Sequence, residues 1–216
     1  MKPLSLSRVR SALIVAPHPD DETIGAYGLI RALKARSARV RVLIVTDGAG
    51  SHPASNRWPR SRLIAERQRE TLAAMRRIGV MAGDVTFLGL PDGGLANMTV
   101  TTEGTLRRAA TRNACDLLIL PAPDDDHPDH RAVAATLRRS TARQLHYLVW
   151  PNRQAASRRA SHCLRLGPLA AAKRGAIRRY RTQMGAITDD PGGFAISRSE
   201  LAGFARPIEC FREVRR

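Results

Sequence analysis

The sequence predicts an α/β fold: one Rossmann-like, three-layer domain with a mostly parallel sheet and helices on both of its faces. Three observations predict it. Apolar runs alternate with amphipathic stretches along the chain, in the order strand, helix, strand, helix that builds a parallel sheet. Several runs are unbroken Leu, Ile and Val, as expected where both faces of a strand are buried. A chain of 216 residues that is 43% hydrophobic fills one continuous core, residues 1–216, and calls for no second domain.

The first strand is expected at Ala12–Ala16, followed by a helix over Thr23–Arg36. The second strand, Val40–Thr46, leads to a helix over Arg62–Ile78, where Leu63, Ile64, Leu72, Met75 and Ile78 fall close to one face. Strand Val85–Leu88 precedes a helix at Thr105–Arg112, and strand Leu117–Leu120 a helix at Arg131–Ser140. Strand Leu145–Trp150 and a last helix near Ala170–Gln183 complete the pattern. The run Ala12–Ala16 is far shorter than a signal-peptide core or a bilayer span, so a soluble, cytoplasmic protein is expected. Cys115, Cys163 and Cys210 show no Cys-x-x-Cys spacing and read as small buried apolar residues rather than a disulfide framework or thiolate zinc site.

The formal charge is +17, and the basic residues are densest towards the end. Residues 151–216 hold 14 Lys and Arg against 5 Asp and Glu, whereas the first 150 hold 22 against 14. Such a field concentrates polyanions: nucleic acid, acidic lipid or a phosphorylated substrate. Aromatic residues make up only 4% and no recognition motif lies among the basic residues, which argues against nucleic acid. A general drift of exposed positions to Arg produces the same charge with no partner at all.

Ligands of open α/β sheets bind beyond the carboxyl ends of the strands. Three of the loops expected there are rich in His, Asp and Gly: Pro17–Glu22, Asp47–Asn56 and Pro121–His130. The first reads Pro-His-Pro-Asp-Asp-Glu, with His18 and Asp21 flanking a turn stiffened by Pro19. The third ends His127-Pro128-Asp129-His130, with two histidines flanking Pro128. Two histidines and a carboxylate on one side of a divalent ion leave positions open for water and substrate, as a catalytic site requires. Zinc is the default ion for hydrolysis, and the same donors suit ferrous iron. The bland alternative for Asp21, Glu22 and Thr23 is a helix N-terminus, where acids and hydroxyls cap free N–H groups.

The two His–Pro–Asp motifs together resemble the PIG-L/LmbE family of metal-dependent N-acetylglucosaminyl deacetylases. Weaker matches extend the resemblance along the chain: Thr46-Asp47-Gly48, Arg67-x-x-Glu70, Ile78-Gly79-Val80, Leu90-Pro91-Asp92-Gly93, and Lys173, Ala176, Tyr180 and Gln183. The resemblance implies that His18, Asp21 and His130 bind the metal and that Asp20 is the general base. It implies that His127 stabilises the charge on the carbonyl oxygen or protonates the leaving amine, with Asp129 orienting or charging it. Arg67 and Asp92 would contact the substrate, an N-acetylated amino sugar, either free or carried on a lipid or nucleotide. One departure stands out: the thiol-precursor branch has a Tyr two residues before the first His of the second motif, and here that position is Asp125.

Two other classes use the same features. A metal-dependent phosphoesterase would employ the His/Asp loops and the positive field, but many such enzymes use two ions with bridging carboxylates, and only one full ligand set is visible. A non-enzymatic module binding nucleic acid or acidic membrane would rest on the basic tail alone. The loop Asp47–Arg60, with Ser51, His52, Asn56 and Trp58, is expected to shape the pocket, Trp58 either stacking on a sugar face or packing at the mouth.

Overall fold

The computed structural model describes residues 1–150 and 160–214. The strands are β1 (Lys2–Pro3), β2 (Ser11–Ala16), β3 (Arg39–Thr46), β4 (Val85–Leu90), β5 (Leu117–Pro121), β6 (Arg143–Tyr147), β7 (His162–Arg165) and β8 (Ile208–Val214). The helices are α1 (Asp21–Ala35), α2 (Arg60–Arg77), α3 (Val100–Arg112), α4 (Pro128–Leu137), α5 (Leu169–Ile177) and α6 (Arg198–Phe204). They form an α/β domain around one eight-stranded sheet of order β1-β7-β8-β6-β5-β2-β3-β4. Only the two pairings made by β8, with β6 and β7, are antiparallel among the described strands.

Alternation along the buried strands separates the two faces. Ile14, Val42, Ile44 and Ile119 enter a core with Leu29, Ile30, Leu33 and Met75 of α1 and α2, and with Ile177 and Leu201 of α5 and α6. Leu13, Val15, Leu43 and Leu118 enter the opposite core with Leu106 of α3 and Val133 and Leu137 of α4. These are the three layers expected. No described helix is long and apolar enough to cross a membrane.

The five expected strands are β2 to β6, and the differences have local causes. β6 stops at Tyr147 rather than Trp150 because the Asp125 carboxylate takes the N–H groups of Val149 and Trp150. Helices α3 and α4 begin earlier than expected, at a Thr99 N-cap and at Pro128, which suits the first helical turn. The expected helix Ala170–Gln183 breaks after Ile177, and a 3₁₀ turn follows at Arg181–Gln183. Tyr180 sits at the break, its hydroxyl drawn to Glu22 and Thr23 of α1. Arg153, Arg158, Arg159, Arg215 and Arg216 of the basic tail lie outside the described residues.

Helix α1 is kinked at Ala26. Beyond the kink, the N–H groups of Gly28 and Leu29 donate to the Glu209 carboxylate of β8 at 2.9 and 3.0 Å. Lys173 of α5 neutralises that carboxylate from 2.9 Å. Before the kink, Gly25 lies under the Tyr147 ring, where a Cβ would sit 2.3 Å from a ring carbon. The start of α1 is thereby pressed against the ends of β2 and β6.

Chain order gives the sheet its switch point. From β2 the chain steps outward to β3 and β4, then returns to β5 on the other side of β2. The loops after β2 and β5 therefore leave adjacent strands, at the crevice where such sheets bind ligands. Those two loops carry the His–Pro–Asp motifs.

Candidate active site

The loop after β2 is a strained turn. Asp20 has a φ of 125°, a conformation that costs a non-glycine residue about 1–3 kcal/mol and persists only where its surroundings impose it. The backbone N–H of Asp20 donates to Glu22, while that of His18 donates to Asp21 Oδ2 at 2.9 Å. Arg67 of α2, only 2% exposed, clamps the turn from outside. Its guanidinium donates to the carbonyls of Pro19 and Gly48 at 2.6 and 2.7 Å and reaches Asp20 Oδ2 at 3.4 Å. The arginine expected to touch substrate thus braces the two loops, although it also borders the cavity.

Three donor atoms converge beside this turn. His18 Nδ1 lies 3.2 Å from Asp21 Oδ2, His130 Nε2 lies 3.1 Å from the same oxygen, and the two nitrogens are 3.3 Å apart. A tetrahedral ion with bonds of about 2.0–2.1 Å holds neighbouring donors about 3.3 Å apart. The donor set and its spacing fit a divalent ion. The far ring nitrogens face carboxylates: His18 Nε2 lies 3.2 Å from Asp129 and 3.1 Å from Asp92, and His130 Nδ1 lies 3.2 Å from Asp125. The Asp125 contact is close enough for an ion pair but not aligned for a hydrogen bond. Carboxylates in those positions keep the protons on the outer nitrogens and leave the inner lone pairs for a metal.

The charges of these groups depend on one another. Burial opposes ionisation of Asp21, but His130 and His18 hold its carboxyl far below the usual range. Burial works against protonating His130, yet Asp21 and Asp125 raise it to about 9. Burial raises the Asp20 carboxyl well above its ordinary value against the pull of Arg67, and Asp21 and Glu22 add to the rise. Glu22, in contact with the Tyr180 hydroxyl, is pushed up to about 7 by burial.

His127 stands at the N-cap of α4, its ring 4.6 Å from that of His18 between centroids. Its Nδ1 accepts the backbone N–H of Asp129 at 3.2 Å, so the ring proton belongs on Nε2. Burial, His18 and His130 all lower its pKa. The Asp129 carboxylate goes elsewhere: it accepts from Gly93 and Leu95 N–H at 2.8 and 2.9 Å and faces His18. This carboxylate contacts His18, while its charge also acts on the His127 pKa in the raising direction. Asp92 likewise serves His18 and the Gly50 N–H, at the edge of the cavity.

The cavity has a volume of about 340 Å³. His18, Asp20, Asp21 and His127 form one side; Ile24, Trp150, Phe194 and Ile196 form an apolar wall. Ser51 and Gln183, joined at 3.3 Å, supply polar groups between them. Trp150 packs edge-on against Phe194 and Phe204, each at 5.6 Å between centroids. Sequence reasoning had no signal for this wall, whose residues come from distant segments with no shared spacing. Trp58 is absent from the cavity lining among the described residues and instead carries the Arg62 guanidinium 4.2 Å over its ring.

The sequence profile of PIG-L, described as GlcNAc-PI de-N-acetylase, matches residues 13–140, more than half of the chain. The protein belongs to the PIG-L family. Both His–Pro–Asp motifs, Arg67 and Asp92 lie inside that span, whereas Trp150, Gln183, Phe194 and Ile196 lie beyond it. The chain is 29% identical over 141 residues to 2'-N-acetylparomamine deacetylase of Streptomyces fradiae, covering 58% of this chain and 50% of that protein. It thus spans about half the length of that relative.

Among solved structures, the N,N'-diacetylchitobiose deacetylase of Pyrococcus horikoshii superposes with a TM-score of 0.71 at 20% identity, over 96% of this chain and 84% of that one. The 4-carboxy-2-hydroxymuconate hydratase of Pseudomonas putida KT2440 superposes at 0.67 with 15% identity, over 96% and 97%. At these identities the likeness is one of fold, and a PIG-L-like fold carries more than one reaction.

Proposed function

We propose that this PIG-L family member is a metal-dependent hydrolase that removes the acetyl group from an N-acetylated amino sugar. The observation that carries the reading is the triangle of His18 Nδ1, Asp21 Oδ2 and His130 Nε2, with sides of 3.1–3.3 Å. Zinc is the ion we assign, and ferrous iron suits the same donors. When bound, a divalent ion supplies a Lewis acid for the amide carbonyl and lowers the pKa of water from 15.7 towards about 7.

The protein's own groups do the rest. Asp20, beside Asp21 and bordering the cavity, takes the proton of the attacking water. The strained turn and the Arg67 clamp hold its carboxylate where that proton leaves. His127 donates its Nε2–H to the oxygen that becomes negative as the carbonyl carbon turns tetrahedral. Because Nδ1 already accepts a backbone N–H, the neutral ring has one proton to share and acts as a hydrogen-bond donor. Protonation of the departing amine then falls to Asp20, which returns the proton it took. Asp129 and Asp92 hold the tautomer of His18, and Asp125 that of His130.

A cavity of about 340 Å³ falls in the range of small-molecule sites and accommodates one sugar ring with its acetamido group. The apolar wall offers a face for the ring's C–H surface, and Ser51 and Gln183 offer partners for its hydroxyls. The net charge of +17 supports an anionic form of that substrate, linked to a nucleotide or lipid. The test is metal analysis followed by an acetate-release screen over N-acetylated sugars, sugar nucleotides and lipid-linked sugars. Acetate release abolished by a chelator and restored by metal is expected. Release of phosphate in place of acetate would overturn the reading.

A further inference from the structure

Cys163 on β7 and Cys210 on β8 stand directly opposite each other in an antiparallel pair. The bond from Leu166 N–H to the Pro207 carbonyl, 2.9 Å, sets the phase of this ladder. Hydrogen-bonded pairs recur at every second residue, at Leu164/Glu209 and His162/Phe211, so Cys163/Cys210 falls at a non-hydrogen-bonded position. Facing residues there have Cα atoms about 4.5 Å apart and their side chains at closest approach. That separation lies within the window of about 4.4–6.8 Å that a disulfide requires.

Both side chains are half-buried free thiols. Burial raises the Cys210 thiol above its ordinary range, and the proximity of Cys163 raises it further. Cys210 therefore rests protonated near neutrality and reacts slowly without an exchange partner. Cys115 has no such company: it precedes β5 and packs against the α3/α4 side of the sheet.

We propose that Cys163 and Cys210 are a reversible dithiol/disulfide site, closed by a low-molecular-weight disulfide such as oxidised glutathione. One protein thiolate attacks the small disulfide, forms a mixed disulfide and releases one small thiol. The facing thiolate then displaces the second small thiol. In sum, the two protein sulfurs are oxidised to one S–S bond, the small disulfide is reduced to two thiols, and the two protein S–H protons end on them. The ring so formed spans residues 163–210, the segment that supplies Tyr180, Gln183, Phe194 and Ile196 to the catalytic end of the molecule. Closing it restricts the unfolded chain, so the oxidised form is the more stable one.

The experiment is equilibration of the full chain with oxidised glutathione at mildly alkaline pH, followed by thiol counting in denaturant and peptide mass mapping. The three thiols should fall to one, with a single Cys163–Cys210 cross-linked peptide and no change in oligomeric state. Cys115→Ser should still form the ring. Cys163→Ser should stop at a glutathione adduct on Cys210. The oxidised wild type should melt several degrees higher than the reduced protein, a gain erased by a thiol reductant and missing in Cys163→Ser. Three surviving thiols, glutathione adducts on both cysteines without a ring, or a link through Cys115 would overturn the site. An oxidised protein that melts no higher would overturn its stabilising role.

Discussion

Asp125 Oδ2 lies 3.2 Å from His130 Nδ1, and the same oxygen accepts the N–H groups of Val149 and Trp150 at 3.0 and 3.1 Å. One carboxylate thus orients a proposed metal ligand and anchors the backbone of the cavity's apolar wall. Asp125→Asn should weaken metal binding by roughly 10–100-fold, the usual cost of losing a partner that orients a ligating histidine. Asp125→Ala, which also strands three N–H donors counting that of His127, should destabilise the fold by roughly 1–3 kcal/mol for each donor left buried without a partner. Chelator competition and thermal melts measure the two effects; equal metal affinity in Asp125→Asn and wild type would remove Asp125 from the site.

His127 is expected to work as a neutral hydrogen-bond donor. His127→Ala should keep its metal and lose roughly 10²–10³-fold in kcat, the scale of removing one donor to a developing oxyanion. His127→Gln, which retains an N–H donor but no titratable ring, should recover part of that loss. Rates and metal content of the two variants decide between donor and acid: a Gln variant as inactive as the Ala variant would favour proton delivery by the ring.

The fold and the two motif loops are legible in the sequence for one reason. β2, β3 and β5 are buried on both faces over most of their length, so their apolar runs mark where each loop begins, and loops at strand ends carry chemistry. β7 and β8 escape the same reading. β8 reads Ile-Glu-Cys-Phe-Arg-Glu-Val, and Glu209 is buried there only because Lys173 and the kinked α1 await it. Asp125 is visible in the sequence as a departure from the resemblance, but its partners Val149 and Trp150 come from a strand end 24 and 25 residues away. The thiol pair is equally hidden, because spacing along the chain does not reveal antiparallel register.

The apolar wall should govern binding more than chemistry. Trp150→Ala removes the ring that packs against Phe194 and Phe204 without touching the histidines. KM for an N-acetylated sugar should rise while kcat changes little, since uniform binding is lost. Steady-state kinetics check this; a fall in kcat at unchanged KM would place Trp150 in the catalytic step.

His146, 7% exposed, is pushed down to about 4 by burial, with Arg212 adding to the shift and Asp124 opposing it. The unfolded chain, with an ordinary histidine near 6.5, binds the proton more readily than the folded one. The contribution to stability is therefore complete above about pH 6.5 and is lost as pH falls towards 4, reaching about 3 kcal/mol. His146→Leu removes that dependence. Between pH 7 and pH 5 the melting temperature of the wild type should fall more steeply than that of the variant; parallel curves would contradict the assignment.

The central claim, that His18, Asp21 and His130 hold one catalytic ion while Asp20 moves the proton, is tested most directly by metal content alongside turnover in two adjacent variants. Asp20→Asn should retain one divalent ion per chain and lose roughly 10²–10⁴-fold in kcat, the usual effect of removing a positioned base. Asp21→Asn should lose the ion and regain part of its activity in excess metal. Full metal occupancy in Asp21→Asn, or loss of the ion in Asp20→Asn, would contradict the account.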